Sequence, residues 1–238
     1  MSYYSQTGED SILRQFFLDK RHGFYVDIGA HDGRRFSNTL IFDEELGWRG
    51  ICVEAHPGYY ELLKRNRPNA INLGVACGDE DKPSCDFFAN YRGALSSLDS
   101  RTDELFQGFG KYYAKNCIPE VEGMANGLIH VPMRTLDSIL AEFAGATPID
   151  LLSLDVDGSE RWVLDGFRID RWRPRVAVME IAIVPNLVRR YMSDHGYHLA
   201  KEIGYNAMYC LDAEDALRLG EISPKGDRHE MVHPLGWN

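Results

Sequence analysis

Gly23-Phe24-Tyr25-Val26-Asp27-Ile28-Gly29-Ala30-His31-Asp32-Gly33 is the stretch that decides how this chain is read. Phe24–Ile28 suits a short buried strand, and it runs into an acidic turn containing Gly29 and Gly33. Glycine accepts φ > 0 and carries no Cβ to hold a ligand away from the backbone. A second apolar run, Gly50-Ile51-Cys52-Val53, ends in Glu54. A strand, a tight turn and a carboxylate at the tip of the next strand describe a nucleoside-cofactor site, the carboxylate suiting a ribose diol. The spacing is D-x-G-x-x-x-G rather than G-x-G-x-x-G, so the turn alone does not name the nucleoside.

The rest of the chain supplies the frame for that turn. Residues 5–19 carry Ile12, Leu13, Phe16 and Phe17 at helical spacing, and Thr7 to Asp10 fits a capping box. A helix is expected over Ser37–Leu46, stopping at Gly47, then a strand over Gly50–Glu54. Pro57 opens a helix through Tyr59–Asn66, and Ala70–Val75 reads as a third strand. Alternation resumes with helix Leu136–Phe143, strand Ile149–Leu154, helix Glu160–Leu164, strand Arg175–Met179 and helix Asn186–His195. Two β-like runs, Tyr197–Ile203 and Ala207–Leu211, close it as a hairpin. This order predicts an α/β fold: a mostly parallel sheet with helices on both faces and a terminal antiparallel strand.

Bulk properties narrow the function. The chain has 238 residues, 44% hydrophobic and 26% charged, as expected of one soluble domain spanning 1–238. Its net charge of −10 argues against a phosphate-tracking nucleic-acid binder and against an anionic membrane surface. No apolar run approaches the ~18 residues of a membrane span. The cysteines at 52, 77, 85, 117 and 210 form no C-x-x-C pair, and no basic-then-apolar leader opens the sequence. A cytoplasmic protein with reduced thiols is the expectation. Residues 78–130 break the β/α rhythm and read as an insertion. Its possible strand Cys85–Phe88 and its helical run of Leu105, Phe106, Phe109, Tyr112 and Tyr113 give either a core helix or a substrate lid, with Ser96 and Ser97 lining the pocket. The tail from Ser223 to Asn238 reads as irregular.

A larger set of motifs carries a family likeness. Tyr4-Ser5-Gln6-Thr7-Gly8-Glu9-Asp10, the Phe24–Ala30 strand and turn, Gly47-Trp48-Arg49-Gly50 leading to Val53-Glu54, Leu95-Ser96-Ser97-Leu98-Asp99, Arg134-Thr135-Leu136-Asp137 and Asp150–Glu160 appear in order. So do Arg173-Pro174-Arg175-Val176 with Glu180, and Gly196-Tyr197 with Tyr205-Asn206. Together they resemble FkbM-type methyltransferases over nearly the whole chain. That resemblance implies a Rossmann-like class I methyltransferase fold with a seven-stranded sheet, S-adenosylmethionine (SAM) as cofactor, and methyl transfer to hydroxyls of sugars, glycans or natural products. It implies that Asp27, Gly29 and Ala30, with Gly33 closing the turn, approach the methionine part of SAM. Glu54 takes the ribose, the segment Gln6, Gly8, Glu9 and Asp10 (residues 1–22 forming an N-terminal helix and cap) folds over the cofactor, and Gly78 and Asp79 flank the adenine. Two departures stand out: His31-Asp32 where the family often has Ala/Asn-type residues, and Asp157 where Glu is more usual.

The chemistry is expected at the end of the strongest strand. Asp155, Asp157 and Glu160 lie there, and Glu180 ends its expected neighbour. Such acids can converge on a divalent cation, and an all-oxygen set favours Mg²⁺, Ca²⁺ or Mn²⁺ over zinc, with Asp155, Asp157 and Glu180 as ligands. Alternatively Asp155 is a general base, with His31 as second candidate. The bland alternative is that these acids cap the next helix or pair with Arg161 and Arg173. Two further function classes stay open: an NAD(P)-dependent oxidoreductase on a similar fold, and a non-catalytic SAM-binding module. The run His229-Glu230-Met231-Val232-His233 matches the H-E-x-x-H zinc-peptidase pattern, but Pro234 ends it and the chain beyond it holds no third-ligand segment. The expected partner is a small-molecule or glycan acceptor, its identity set by the insertion and by homo-oligomer contacts.

Overall fold

The computed structural model describes residues 3–89 and 127–225. In chain order the elements are α1 (Glu9–Phe16), β1 (Phe24–Ile28), α2 (Leu40–Glu44), β2 (Arg49–Val53), α3 (Pro57–Asn66), β3 (Ile71–Leu73), β4 (Ala76–Gly78), β5 (Lys82–Ala89) and β6 (Gly127–Thr135). Next come α4 (Leu136–Phe143), β7 (Leu151–Leu154), α5 (Glu160–Asp165), α6 (Ile169–Trp172), β8 (Val176–Glu180), α7 (Pro185–Asp194), β9 (His198–Ile203), β10 (Asn206–Cys210) and α8 (Ala213–Glu221).

A seven-stranded sheet runs β3-β2-β1-β7-β8-β10-β9. Every pairing from β3 to β8 is parallel, and β10 is antiparallel to both β8 and β9. The expected mostly parallel sheet with a terminal antiparallel hairpin strand is the observed one. Strand order reverses between β1 and β7, and in open α/β sheets ligands bind outside the carboxyl ends of the strands at such a point. The period-2 alternation of β1 divides the core: Phe24, Val26 and Ile28 pack on one face and Tyr25 on the other. Each face is covered by helices, so the central strands are buried throughout.

Several local expectations give way to polar chemistry. Helix α1 begins at Glu9 rather than at residue 5, and no capping box forms: Gly8 is its N-cap, at φ 100°. The Asp10 carboxylate instead accepts the N–H of Tyr4 (2.6 Å) and the Ser5 hydroxyl (2.6 Å), folding residues 4–8 into a separate loop. Helix α2 is shorter than Ser37–Leu46 because Ser37 and Thr39 are drawn into buried hydrogen bonds with Arg67. The expected strand Ala70–Val75 shortens to β3 in the main sheet, and β4, just beyond it, enters a three-stranded sheet, β4-β6-β5.

The 78–130 stretch thus supplies β5 and the start of β6; Leu105–Tyr113, Ser96 and Ser97 lie outside the described residues, as does His229–His233. The β5–β6 register shifts between Lys82 and Cys85, where Pro83 faces the neighbourhood of Pro132 and neither can donate to the ladder. Helix α8 has no counterpart among the sequence expectations; Asp212 caps it, accepting from the N–H of Glu214 (2.8 Å) and Asp215 (3.2 Å).

Candidate active site at the sheet's switch point

Two loops meet where the strand order reverses. Gly29, at φ 81°, continues from β1, and Asp155 continues from β7. A Cβ on Gly29 would stand 1.7 Å from the Asp155 carbonyl oxygen, so the loops touch through backbone. The N–H groups of Gly29 and Ala30 both donate to the Val53 carbonyl at 3.0 Å, fastening the turn to the end of β2. Glu54, the next residue, is buried, and its Oε2 and Oε1 accept the backbone N–H of His31 (2.8 Å) and of His56 (2.7 Å). The carboxylate is therefore held rigidly while its remaining lone pairs stay available. Burial, ahead of every other effect, raises its pKa.

His31 sits at φ 52°, its ring stacked on Tyr59 with centroids 3.9 Å apart. Its Nδ1 is buried, makes no hydrogen bond among the described residues, and lies 3.7 Å from Asp32 Oδ1. Asp32 Oδ1 accepts from the N–H of Arg34 and Arg35 at 2.8 and 2.7 Å. The imidazole thus stands beside Glu54.

Asp27 and Gly33 are engaged by the protein itself. Asp27 Oδ2 accepts from the Thr39 hydroxyl at 2.5 Å and lies 3.7 Å from the Arg67 guanidinium. Arg67 is fully buried; it also pairs with Asp43 at 3.0 Å and donates to the Gly33 carbonyl at 2.7 Å. The close approach that Gly33 permits is to Leu63 and Arg67. Nothing in the basic run Lys64-Arg65-Asn66-Arg67 marks its last residue as the buried one. Asp79 stands apart from this group: it is exposed after β4, where Gly78 lies against Gly166 beyond the end of α5.

On the other side of the switch point the acids converge. Asp155, Asp157 and Glu180 each offer a carboxylate oxygen, and these oxygens lie within 4.8 Å of one another. Glu160 Oε1 accepts the N–H of Val156 and of Gly158, both at 3.2 Å, and so ties down the turn that carries Asp155 and Asp157. Arg161 pairs with Asp165 instead. Solvent reaches Asp155, but protein crowds it, and desolvation first, then the charges of Asp27 and Glu9, raises its pKa against the opposing effects of Glu180 and His31. Glu180 is buried and moves well upward, through desolvation and then repulsion from Asp155, Glu160 and Asp157.

The N-terminal loop lies over the same edge of the sheet. Ser5 forms a bridge with Phe36, and Thr7 touches the Gly204 turn between β9 and β10. Glu9 is buried, accepting from the Thr7 hydroxyl (2.5 Å) and from Asn206 Nδ2 (2.8 Å). Gln6, half-buried, belongs to this loop. A cavity of about 440 Å³ lined by Lys20, His22, Arg49 and Asp150 opens at the opposite edge, where β1 and β2 begin, and shares none of these residues.

The residues present fit SAM: a buried carboxylate held by two backbone N–H groups, suited to a ribose diol, beside a turn with φ > 0.

Residues 27–199 match the family model described as the methyltransferase FkbM domain. No curated protein matches the chain. Among solved structures it is similar to the methyltransferase FkbM of Methylobacillus flagellatus, with a TM-score of 0.51 and 14% identity. That alignment covers 87% of this chain and 48% of the other, so this chain spans about half the length of that relative. Weaker likenesses are a precorrin-6y C5,15-methyltransferase from Geobacter metallireducens (TM-score 0.41, 13% identity, 84% of each chain) and a TehB-like SAM-dependent methyltransferase from Corynebacterium glutamicum (0.41, 12%, 86% and 87%). The family match extends over most of the sequence and includes both sides of the switch-point site, and on it the chain belongs to the FkbM family of SAM-dependent methyltransferases.

Proposed function

We propose that this protein transfers a methyl group from SAM to a hydroxyl of a sugar, glycan or glycosylated metabolite. The observation that carries the reading is the placement of two carboxylate sites on either side of the Gly29 turn: Glu54 on one, Asp155 with Glu180 on the other. Glu54 holds the ribose, with Gly29 and Ala30 lining the backbone beside it and His31 and Tyr59 forming the adjoining wall. Gln6 and its loop cover the cofactor. Asp27 and Gly33 serve the site by fixing the turn rather than by touching ligand. Asp79 is a remote candidate for the adenine end. The stretch 78–130 is proposed as the lid that selects the acceptor.

Bound SAM supplies a methyl group activated on a sulfonium, which leaves the protein little covalent chemistry to do. The chain's own task is to align the acceptor oxygen and take its proton. Asp155 is the base in this reading, supported by its position at the switch point, its access to solvent and its neighbour Glu180. With SAM bound, Asp155 would take the acceptor's O–H proton, and formation of the oxygen–methyl bond would be balanced by cleavage of the methyl–sulfur bond, with S-adenosylhomocysteine as the leaving group. A divalent cation on Asp155, Asp157 and Glu180 is the second way to make that hydroxyl nucleophilic. His31, stacked on Tyr59, is the less favoured base. Cys52, Cys77, Cys85 and Cys210 are unpaired, which supports a cytoplasmic setting.

Family membership weighs against a nicotinamide oxidoreductase, and a non-catalytic SAM binder remains the rival. A labelled-methyl transfer assay from SAM to a panel of free and glycosidic sugars separates them. Labelled product bearing an O-methyl group is expected. Labelling of nitrogen, carbon or sulfur acceptors instead overturns the hydroxyl reading, and tight S-adenosylhomocysteine binding without turnover on any acceptor favours the binder.

A further inference from the structure

We propose that Asn206 completes a divalent-cation site with Asp155, Asp157 and Glu180. The three carboxylate oxygens lie within 4.8 Å of one another, close enough to share one ion, since ligand oxygens stand ~2.0–2.6 Å from Mg²⁺ or Ca²⁺.

One acceptor of the cluster and one outside it lack donors among the described residues: Glu180 Oε2 and Asn206 Oδ1, both buried. Glu180 and Asn206 are direct cross-strand partners on β8 and β10, which puts their side chains on one face of the sheet. The amide of Asn206 has a defined orientation. Its Nδ2 donates to Glu9 Oε1 at 2.8 Å, and because a carboxylate only accepts, the Asn206 oxygen must be the atom turned away from Glu9. Lone pairs without donors beside clustered carboxylates are answered either by a proton shared among the acids or by a cation, and the burial of Asn206 Oδ1 next to them favours the cation.

The donor set is oxygen only, which selects Mg²⁺, Mn²⁺ or Ca²⁺ over zinc. Outer-shell support is already in place. Glu160 holds the 156–158 turn, and Glu9 orients Asn206 while accepting from Thr7. An ion here would therefore also brace the N-terminal loop, through Asn206 and Glu9, against the edge where the cofactor is expected. This inference deepens the proposed function and shares its site, so its test reads binding rather than turnover.

The experiment titrates the full chain with Mn²⁺, following free ion by electron paramagnetic resonance, and separately with S-adenosylhomocysteine by calorimetry. One saturable Mn²⁺ site is expected. Asp157→Asn and Asn206→Leu should each weaken it roughly tenfold or more. Asn206→Asp keeps an oxygen ligand but loses the donor to Glu9, so it should bind more tightly than Asn206→Leu, with circular dichroism guarding against a folding artefact. Absence of saturable Mn²⁺ binding at millimolar ion overturns the site, and unchanged affinity in Asn206→Leu removes Asn206 from it. Normal S-adenosylhomocysteine binding beside lost Mn²⁺ binding leaves the cofactor reading standing. The reverse pattern defeats the cofactor reading and upholds the cation.

Discussion

Gly29 rests on the carbonyl oxygen of Asp155, which a Cβ would approach to 1.7 Å. The contact joins the ends of β1 and β7 through backbone alone. Gly29→Ala must move one of the two loops and hold alanine at φ 81°. The left-handed backbone costs about 1–2 kcal/mol and the overpacking about 1–3 kcal/mol more. Urea unfolding should register a loss in that combined range, and S-adenosylhomocysteine binding should fall with it. A variant of wild-type stability would mean that the loops are not in contact.

Arg67 gives a second stability test. It is fully buried with Asp43 at 3.0 Å and Asp27 at 3.7 Å. Removing one partner of a buried charge group typically costs about 3–5 kcal/mol, because the remaining charges stay buried. Arg67→Met should unfold at much lower denaturant concentration, while Arg65→Met, at an exposed neighbouring position, should stay within about 0.5 kcal/mol of wild type.

Glu54→Gln probes the ribose assignment. Hydrogen bonds to a charged group are worth about 1.5–3 kcal/mol, so S-adenosylhomocysteine affinity should drop by about 10- to 100-fold. Calorimetry decides this, with circular dichroism confirming that the backbone held by Glu54 remains folded. Undiminished affinity would take Glu54 out of the cofactor site.

Asp155→Asn should separate binding from chemistry. S-adenosylhomocysteine affinity is expected to hold while single-turnover methyl transfer slows by about 10²–10⁴. Equal losses in both would recast Asp155 as a cofactor contact.

Asp32 carries a pH signature. Burial opposes its charge, but the nearby His31 and the N–H groups of Arg35 and Arg34 outweigh that and lower the carboxyl to about 2, below its ordinary 3.8. A pKa depressed in the folded state stabilises the protein above the unfolded value and loses that contribution as pH falls through the folded one. The contribution is roughly 2 kcal/mol at most. The stability gap between wild type and Asp32→Asn should therefore be full at pH 6 and narrow steadily below about pH 4. A gap that does not change with pH would mean that the carboxylate is not held in this turn.

Local signals are enough for the frame. Apolar strands ending in acids, separated by helical periodicity and closed by a hairpin, specify a mostly parallel sheet because each pattern has its own period and must bury its apolar face. The positions of Gly29, Glu54 and Asp155 at strand ends are legible for the same reason. Where sequence reading fails, side chains from distant positions have taken over. The Ser5–Asp10 hydrogen bonds displace a capping box, Arg67 draws in Ser37 and Thr39 to shorten α2, and Ala76–Gly78, beyond the expected third strand, pairs with β6. Helix α8 escapes the reading although Asp212 caps it.

The sequence by itself determined the sheet, the turn and the acids available at the strand ends, since these follow from residue type and spacing along the chain. Only the tertiary structure decided how those residues are used. It bound Asp27 and Gly33 to Arg67, stacked His31 on Tyr59, and brought Asn206 opposite Glu180. Those assignments depend on which groups lose water together in the folded chain, and partners 26 to 40 positions apart leave no mark in local spacing.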